Sequence, residues 1–455
     1  MRDLLLLGII FGMLPLSFTR PWIGVIVTVW LGLMNPHRLC YGMAYSFPVV
    51  KLATAVTVLG FLFTSDKYRI PRVRETYLLV LLFLYYTFTT QFAQYPKDAM
   101  EEWVHVAKIY VMVFLILSLF QDRVRMRWLL LIMALSIAFY GVKGGIFSIL
   151  TGGNHLIWGP PKSIIAGNNE LALAELMIFP ILFYMGIKES RRNKWAAYGI
   201  FAATFLTIVA VVFSYSRGAF LSLIAMAGMF VWRSNRRFTF IIIALIAGLV
   251  LFQFIPDKWF DRMNTIETAS TEDKSAMGRI NAWWYAYNVA SERPFTGAGF
   301  QSFTEEMFLD YAPDPYDYHD AHSVYFEVMG EHGFVGWGIF MSLLGFSYLS
   351  MGKLRKISKP HPELVWVHEN ATMLQLSLVV YGIGGAFLGM AYFDLYYFLV
   401  ASVIIMKDLG QKEVAKLEEA AAAERKAKRK ATEEAKRRPQ LVPPPSEPLP
   451  EPSTT

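Results

Sequence analysis

The sequence is poor in charged residues. Lys, Arg, Asp and Glu make up 17% of its 455 residues, whereas hydrophobic residues make up 55%, and the mean hydropathy is +0.37. An ordinary soluble domain has about 25% charged residues. The composition therefore excludes a soluble protein. It predicts an all-α integral membrane protein, because the apolar runs are continuous and do not alternate as the strands of a barrel do.

Cysteine is nearly absent as well. The single thiol, Cys40, excludes an internal disulfide, a thiol pair and a cysteine-based zinc cluster. The chain also lacks the HExxH metal motif and a P-loop for nucleotide phosphates. Its net charge of +7 is spread over short basic clusters between apolar runs. This distribution indicates orientation in a membrane, with no nucleic-acid partner.

About 12 apolar runs are long enough to be transmembrane helices, since one span takes about 20 residues. The first run is broken at Pro15 and at Arg20-Pro21. If this run forms one kinked crossing, the N-terminus is cytoplasmic. The alternative is an external N-terminus. The predicted runs are 4–34, 48–64, 75–93, 103–120, 127–150, 169–187, 195–213, 216–232, 238–255, 334–351, 371–388 and 391–406.

The breaks between these runs alternate in charge. The long segment 256–333 holds five Lys or Arg and fourteen Asp or Glu. By the positive-inside rule, this acidic segment is periplasmic and the basic breaks are cytoplasmic. The basic breaks are 66–74, 121–127, 188–194, 232–238 and 352–359.

The chain divides into four predicted parts. Residues 1–255 form the N-terminal transmembrane helices, 256–333 a large periplasmic loop with amphipathic helices, and 334–406 the C-terminal transmembrane helices. Residues 407–455 form a cytoplasmic charged helix and a Pro-rich disordered tail. The tail helix either is solvated or touches anionic headgroups through its Lys and Arg residues.

Two arginines stand out on the predicted outer side, where basic residues are rare. Arg217, in SYSRG (214–218), is either a snorkelling helix-end residue or a functional charge near the membrane. Arg279 opens an amphipathic helix and either pairs with an acid or acts with Arg217. Because a guanidinium group binds phosphate as a rigid fork, we expect the two to clamp an anionic substrate. Lys162 is a third candidate cation.

Three histidines cluster in YHDAHSVYFEVMGEHGFVGW (318–337). His319 and His322 would share one face of a helix, whereas His332 lies near the next span. A zinc site of His319, Asp320 and His322 is one interpretation, and simple hydrogen bonding at the interface is another. We favour a general base at His322, because imidazole titrates near neutral pH and the amphipathic run that follows fixes its position.

These motifs resemble those of the O-antigen ligase and O-antigen polymerase superfamily. The shared segments are SYSRGAF, GRxxxW (278–283) and AHSVYFEVMGEHGFVG, with His322, Tyr325, Glu331 and Gly333 at the His and Glu-x-Gly positions. GNNELALAEL (167–176) is similar to the family's Asn-x-Leu-Ala segment and puts Asn169 at the matching position. MNPHRLCYGMAYSFP looks like the branch of O-glycosylation ligases associated with exosortase systems.

The resemblance implies a metal-independent, inverting glycosyltransferase with no cofactor and the architecture of C-type glycosyltransferases. It would move a glycan from undecaprenyl pyrophosphate to a hydroxyl of lipid A-core in lipopolysaccharide assembly, at the periplasmic face of the bacterial inner membrane. Arg217 and Arg279 would hold the pyrophosphate, and His322 would be the base. The substrate-binding candidates are Asn169, Lys162, Tyr215, His319 and Glu331.

Other functions use the same kind of donor. An O-antigen polymerase extends the glycan, and a protein O-glycosylation ligase transfers it to protein; the motifs do not separate them, because only the acceptor differs. A transporter of polysaccharide lipids is the alternative from another class. Transporters usually place charges near the middle of the membrane and show repeats between their halves. The charges here lie at one face and no repeat is visible, which favours the ligase.

Overall fold

The computed structural model describes residues 1–233, 238–239, 241–242, 245–246, 259 and 274–437. Every regular element in these residues is a helix, so the predicted all-α class is confirmed for the described chain. Short 3-10 helices span Pro36–Leu39, Pro362–Leu364 and Gly385–Phe387. The α-helices are α1 (Arg2–Thr19), α2 (Pro21–Met34), α3 (Met43–Ser46), α4 (Val49–Phe63), α5 (Arg74–Thr90), α6 (Pro96–Leu119), α7 (Arg123–Leu150), α8 (Asn168–Ser190), α9 (Lys194–Val212), α10 (Arg217–Arg233), α11 (Lys274–Glu292), α12 (Glu305–Tyr311), α13 (Val324–Ser358), α14 (Val365–Gly384) and α15 (Asp394–Arg437).

Seven helical segments among the described residues are long and apolar enough to cross a membrane. They are α1, α6, α7, α8, α9, α13 and Pro362–Phe387, which contains α14. The protein is therefore a multi-pass membrane protein. The predicted number of about 12 is not confirmed, because α2 and α4 are apolar but shorter, α5 and α10 have 17 residues each, and much of 238–255 lies outside the described residues.

The first predicted run, 4–34, is a pair of helices rather than one kinked crossing. A proline starts α2, where its missing N–H costs no helical hydrogen bond. Ile10 of α1 packs in one cluster with Leu31 of α2. The Asp3 carboxylate accepts the N–H of Gly42, beyond the end of α2, at 3.1 Å. The start of α1 therefore lies beside the end of α2, and the two helices are antiparallel.

Basic segments meet at one end of the bundle, which we call the basic end (66–74, 121–127 and 188–194). The Asp122 carboxylate caps α7 by accepting the N–H of Arg125 at 2.9 Å. The Arg125 guanidinium lies 2.6 Å from the Asp66 carboxylate. Farther along α7, Arg127 lies 3.5 Å from Glu189, which joins the start of α7 to the end of α8.

The opposite end, which we call the site end, gathers the loops 91–95, 151–167, 213–216, 293–323 and 385–393. The Asn168 amide donates to the Ser214 carbonyl at 2.7 Å, which joins α8 to the loop before α10. The Gln94 N–H donates to the Ala298 carbonyl at 2.8 Å, which joins the loop after α5 to the segment before α13. Connections that are distant in the sequence thus form one surface.

The chain divides into two units, Met1–Gly410 and Gln411–Thr455. In the second unit, residues 411–437 are helical, and residues 411–434 are mostly exposed. Exposed ion pairs one turn apart, such as Lys428 with Glu424 at 2.6 Å, add little stability because water screens them. The predicted Pro-rich tail lies outside the described residues.

Candidate active site

A small recess opens at the site end, where two helices begin. Asn169 is the second residue of α8, and Arg217 is the first residue of α10. Helix starts carry partial positive charge from their unpaired N–H groups, and the guanidinium groups add to it. The recess is therefore suited to a multiply charged anion. Its lining consists of Asn169, Ser216, Arg217, Gly218, Arg279, Phe387 and Leu388.

The short segment between α9 and α10 fixes the position of Arg217. The Ser214 carbonyl accepts a hydrogen bond from the Asn168 amide at 2.7 Å, which ties the segment to α8. The Ser216 hydroxyl accepts the N–H of Ala219 at 3.3 Å, as an N-cap does. Arg217 therefore starts a helix whose first turn is held by two serines and a neighbouring helix.

Tyr215 supports the same segment. Its φ of +59° lies in the left-handed region, which a residue other than glycine adopts only when its surroundings hold it there. Its hydroxyl donates to the Gly153 carbonyl at 2.8 Å, and its ring packs with Phe220 and Trp259. The geometry favours a structural role for Tyr215, and its predicted contact with substrate stays a prediction.

Arg279 and His322 reach the site end from different segments. Arg279 lies in the second turn of α11, and His322 lies two residues before α13. Burial and then the Arg279 cation lower the pKa of His322 below its ordinary value; His319 adds to this effect and Asp320 opposes it. His322 is therefore neutral near pH 7, as a general base must be.

Two side chains of α11 hold the segment that carries His322. The Asn281 amide donates to the Asp314 carbonyl at 2.8 Å. The Trp283 indole N–H donates at 2.9 Å to the carbonyl of Ala321, which directly precedes His322. Trp283 belongs to the GRxxxW motif, whereas Asn281 is not among the predicted site residues. In the sequence, Asn281 is marked only by being a polar residue within an apolar helical stripe.

His319 lies against the turn that carries Arg279. Its Cδ2 atom is 2.1 Å from the position that a Cβ on Gly278 would occupy, so a larger residue at 278 would displace the ring. Its Nε2 atom lies 3.0 Å from the Asp317 carboxylate. Neither His319 nor His322 lies in a helix, so the prediction that they share one helical face is wrong; His319 instead packs against the turn of α11 that carries Arg279.

A kink interrupts α13 at Gly333, which has φ +66° and ψ −175°. Glycine alone adopts this conformation readily, and a Cβ here would lie 2.4 Å from the Pro294 carbonyl oxygen. Beside the kink, the Glu331 carbonyl accepts the N–H of Gly299 at 2.9 Å. The Glu-x-Gly sequence therefore binds the loop 294–301 to the helix.

Glu331 and His332 are buried at this kink and do not line the recess. The Glu331 carboxylate accepts the Gln301 N–H at 2.7 Å and the Tyr392 hydroxyl. The His332 ring nitrogens lie 2.7 Å from the Thr89 hydroxyl and 2.9 Å from the Tyr392 hydroxyl. Both side chains are hydrogen-bonded to other groups of the protein, so the geometry favours a supporting role for Glu331. Its predicted contact with substrate stays a prediction.

Lys162 lies outside the lining of the recess. It is exposed, with φ +56°, and its ammonium group lies 5.8 Å from the centre of the Tyr45 ring. A cation over an aromatic face at this distance is a weak attraction. The predicted role of Lys162 in binding substrate stays a prediction.

Metal ligands do not group in the part of the chain that the structure describes. No set of three His, Cys, Asp or Glu side chains there has the arrangement of a metal site. The His319 imidazole has Asp317 as its neighbour, and His322 faces the positive charge of Arg279. The zinc interpretation of His319, Asp320 and His322 therefore gains no support from the geometry.

Two protein families match the chain. Residues 1–189 match a family of unknown function (DUF5935), and residues 202–341 match the O-antigen ligase family. The second match contains Arg217, Arg279 and His322, whereas Asn169 lies in the first. No curated protein matches the chain. The resemblance predicted from the motifs is confirmed over residues 202–341.

Proposed function

We propose, from the match of residues 202–341 to the O-antigen ligase family, that the protein is a membrane-embedded glycosyltransferase and specifically an O-antigen ligase. It transfers a glycan from undecaprenyl pyrophosphate to a hydroxyl of lipid A-core. The reaction takes place at the periplasmic face of the bacterial inner membrane.

The meeting of Arg217 and Arg279 in one recess carries this proposal. The two arginines come from helices that are distant in the sequence, and both line the recess together with Asn169. A guanidinium group binds phosphate oxygens through parallel N–H donors. A diphosphate carries several negative charges, so two such groups beside the starts of α8 and α10 fit it better than they fit a neutral sugar.

The proposed reaction is a single displacement. His322 takes the proton of the acceptor hydroxyl while the hydroxyl oxygen attacks the anomeric carbon of the donor. The new glycosidic bond forms as the bond from the anomeric carbon to the diphosphate breaks, and the diphosphate leaves with the bonding electrons. Arg217 and Arg279 stabilise its developing charge, so the proposed mechanism uses no metal ion. Attack opposite to the leaving group inverts the anomeric configuration.

Charge distribution supports the proposed orientation. The basic segments 66–74, 121–127 and 188–194 lie at the basic end, which the positive-inside rule assigns to the cytoplasm. The recess lies at the opposite end and hence faces the periplasm. Because it lies where helices begin, the lipid chains of both substrates remain in the bilayer while their polar groups meet at its surface.

Reconstitution tests the proposal. The purified protein is combined in liposomes with an undecaprenyl pyrophosphate-linked glycan and lipid A-core, and the product is detected by its gel mobility. We expect glycosylated lipid A-core in the presence of EDTA. His361→Ala, which changes a histidine next to the basic end, should retain transfer, and His322→Ala should lose it.

Parallel reactions test the acceptor. Extension of a second lipid-linked glycan without labelling of lipid A-core would identify a polymerase instead, and labelling of a Ser- or Thr-containing peptide alone would identify a protein ligase. Movement of intact donor across the bilayer with no transfer to any acceptor would contradict the enzyme and favour a transporter.

A further inference from the structure

A second charged cavity lies at the basic end, away from the recess. It is enclosed by α7, α8, α9 and the start of α14, and its inner wall is apolar. Leu130, Ile181 and Met373 contribute to this wall, whereas Arg123 and Lys188 contribute positive charge. Neither the recess nor the proposed transfer uses any of these residues.

An outer groove adjoins this cavity and shares its cations. Arg123, Arg127 and Lys188 line both. The groove also has Trp128 and Val124, whose side chains are 48% and 65% exposed. Exposed apolar side chains on a membrane-spanning helix face lipid, so an apolar path leads from the bilayer to the three cations.

Two of these cations are held in place by neighbouring side chains, and basic side chains outnumber acidic ones. The Arg123 guanidinium lies 4.6 Å from the centre of the Trp366 ring, which is a cation–π contact. Arg127 lies 3.5 Å from Glu189. Together the cavity and the groove contain four basic side chains, Arg192 included, against the carboxylates of Glu189 and Glu369. A net positive site therefore remains at the level where lipid headgroups lie.

We propose that this site binds the phosphodiester headgroup of one anionic phospholipid from the adjoining leaflet. The phosphate lies between Arg123, Arg127 and Lys188, and an acyl chain lies along Val124 and Trp128. Clustered Lys and Arg between membrane helices attract anionic headgroups in this way. A lipid binds in preference to free phosphate, because only a lipid has an acyl chain that covers the apolar outer groove and removes it from water.

Lipid titration followed by native mass spectrometry tests this site. The delipidated full-length protein is titrated with phosphatidylglycerol or with phosphatidylcholine of the same acyl chains. We expect one phosphatidylglycerol to be retained selectively. Arg123→Gln combined with Lys188→Gln should weaken its retention roughly tenfold or more, because each basic residue near the surface contributes about 1 kcal/mol. Lys188→Arg should retain it.

The matched control is Arg191→Gln combined with Lys194→Gln, which removes two cations from the same end but from neither cavity nor groove. This control should bind phosphatidylglycerol as the wild type does. Equal binding of both lipids by the wild type, or equal losses in the test and control variants, would overturn the proposal. Displacement of the lipid by glycerol 3-phosphate at equal concentration would show that the site binds soluble phosphates instead. An unchanged melting temperature in phosphatidylcholine shows that the variants are folded.

Discussion

His322 and His332 belong to the same motif, yet the structure places them in opposite environments. His322 is partly exposed next to the Arg279 cation. His332 is fully buried, between the hydroxyl groups of Thr89 and Tyr392. The comparison shows that one short sequence carries both a candidate reactive group and the support that holds it. Residue type alone does not distinguish the two, because the difference lies in what surrounds each ring.

The largest difference is expected between alanine variants of the two histidines. His322→Ala should lower the rate of glycan transfer by roughly 10²-fold or more, the usual scale for loss of a general base, with an unchanged melting temperature. His332→Ala should lower the melting temperature, because Thr89 and Tyr392 lose a buried partner, at a cost of about 1–3 kcal/mol for each. Initial rates and thermal unfolding check both. Near-normal transfer by His322→Ala would contradict its role as the base.

A smaller effect is expected for Arg217→Lys, which keeps the charge but removes the planar fork. Binding of the lipid diphosphate donor should weaken about tenfold, because a point charge cannot form the paired N–H contacts. A titration of donor with purified protein measures this affinity. Arg233→Lys, at the other end of α10, is the matched control and should bind donor normally. Donor affinity equal to that of the wild type in Arg217→Lys would show that fork geometry is irrelevant.

The kink beside His332 gives a prediction for stability. Gly333→Ala places a Cβ 2.4 Å from the Pro294 carbonyl oxygen at a positive φ. We expect a loss of about 1–3 kcal/mol in the free energy of unfolding. Gly338→Ala, on the same helix and with no atom within 4 Å of the new Cβ, should be neutral or slightly stabilising. Equal melting temperatures for the two variants would contradict the proposed role of the kink.

The smallest effect is expected in the pH dependence. Burial and Arg279 lower the pKa of His322, so its neutral, basic form persists below the ordinary imidazole value of about 6.5. Transfer should therefore fall only as the pH drops through this lowered pKa. In Arg279→Gln the acid limb of the remaining activity should move to higher pH, because one cation that disfavours imidazolium is removed. If the acid limb of the pH profile did not move, or moved to lower pH, Arg279 would not be the cation that lowers the pKa of His322.

The sequence predicts the helices better than it predicts the supports of the site. In the described chain, each predicted apolar run is largely helical, because continuous apolarity is a local property. The bounds agree less well: α13 and α15 extend well beyond the predicted runs 334–351 and 391–406. The two antiparallel helices in 4–34 depend on contacts such as that of Asp3 with Gly42, which no local pattern contains. The kink at Gly333 likewise depends on backbone N–H groups that are distant in the sequence, such as that of Gly299.

In the candidate site, too, the sequence identifies some residues, whereas others are recognised only in the structure. Arg217 and Arg279 stand out in the sequence because cations are rare on that side of the chain, and the structure brings both to one recess. Asn281 resembles an ordinary polar residue in the sequence, and the motif marks Glu331 as a substrate contact without indicating its supporting role. Their partners, the Asp314 carbonyl and the Gln301 N–H, appear only in the folded chain.

We propose that the recess between the starts of α8 and α10 holds the diphosphate of the donor. A structure of the protein determined with an undecaprenyl pyrophosphate-linked glycan bound tests it most directly. We predict that the diphosphate lies between the guanidinium groups of Arg217 and Arg279, with the anomeric carbon facing the side from which His322 activates the acceptor. A diphosphate bound elsewhere, with both arginines directed away from it, would contradict the claim.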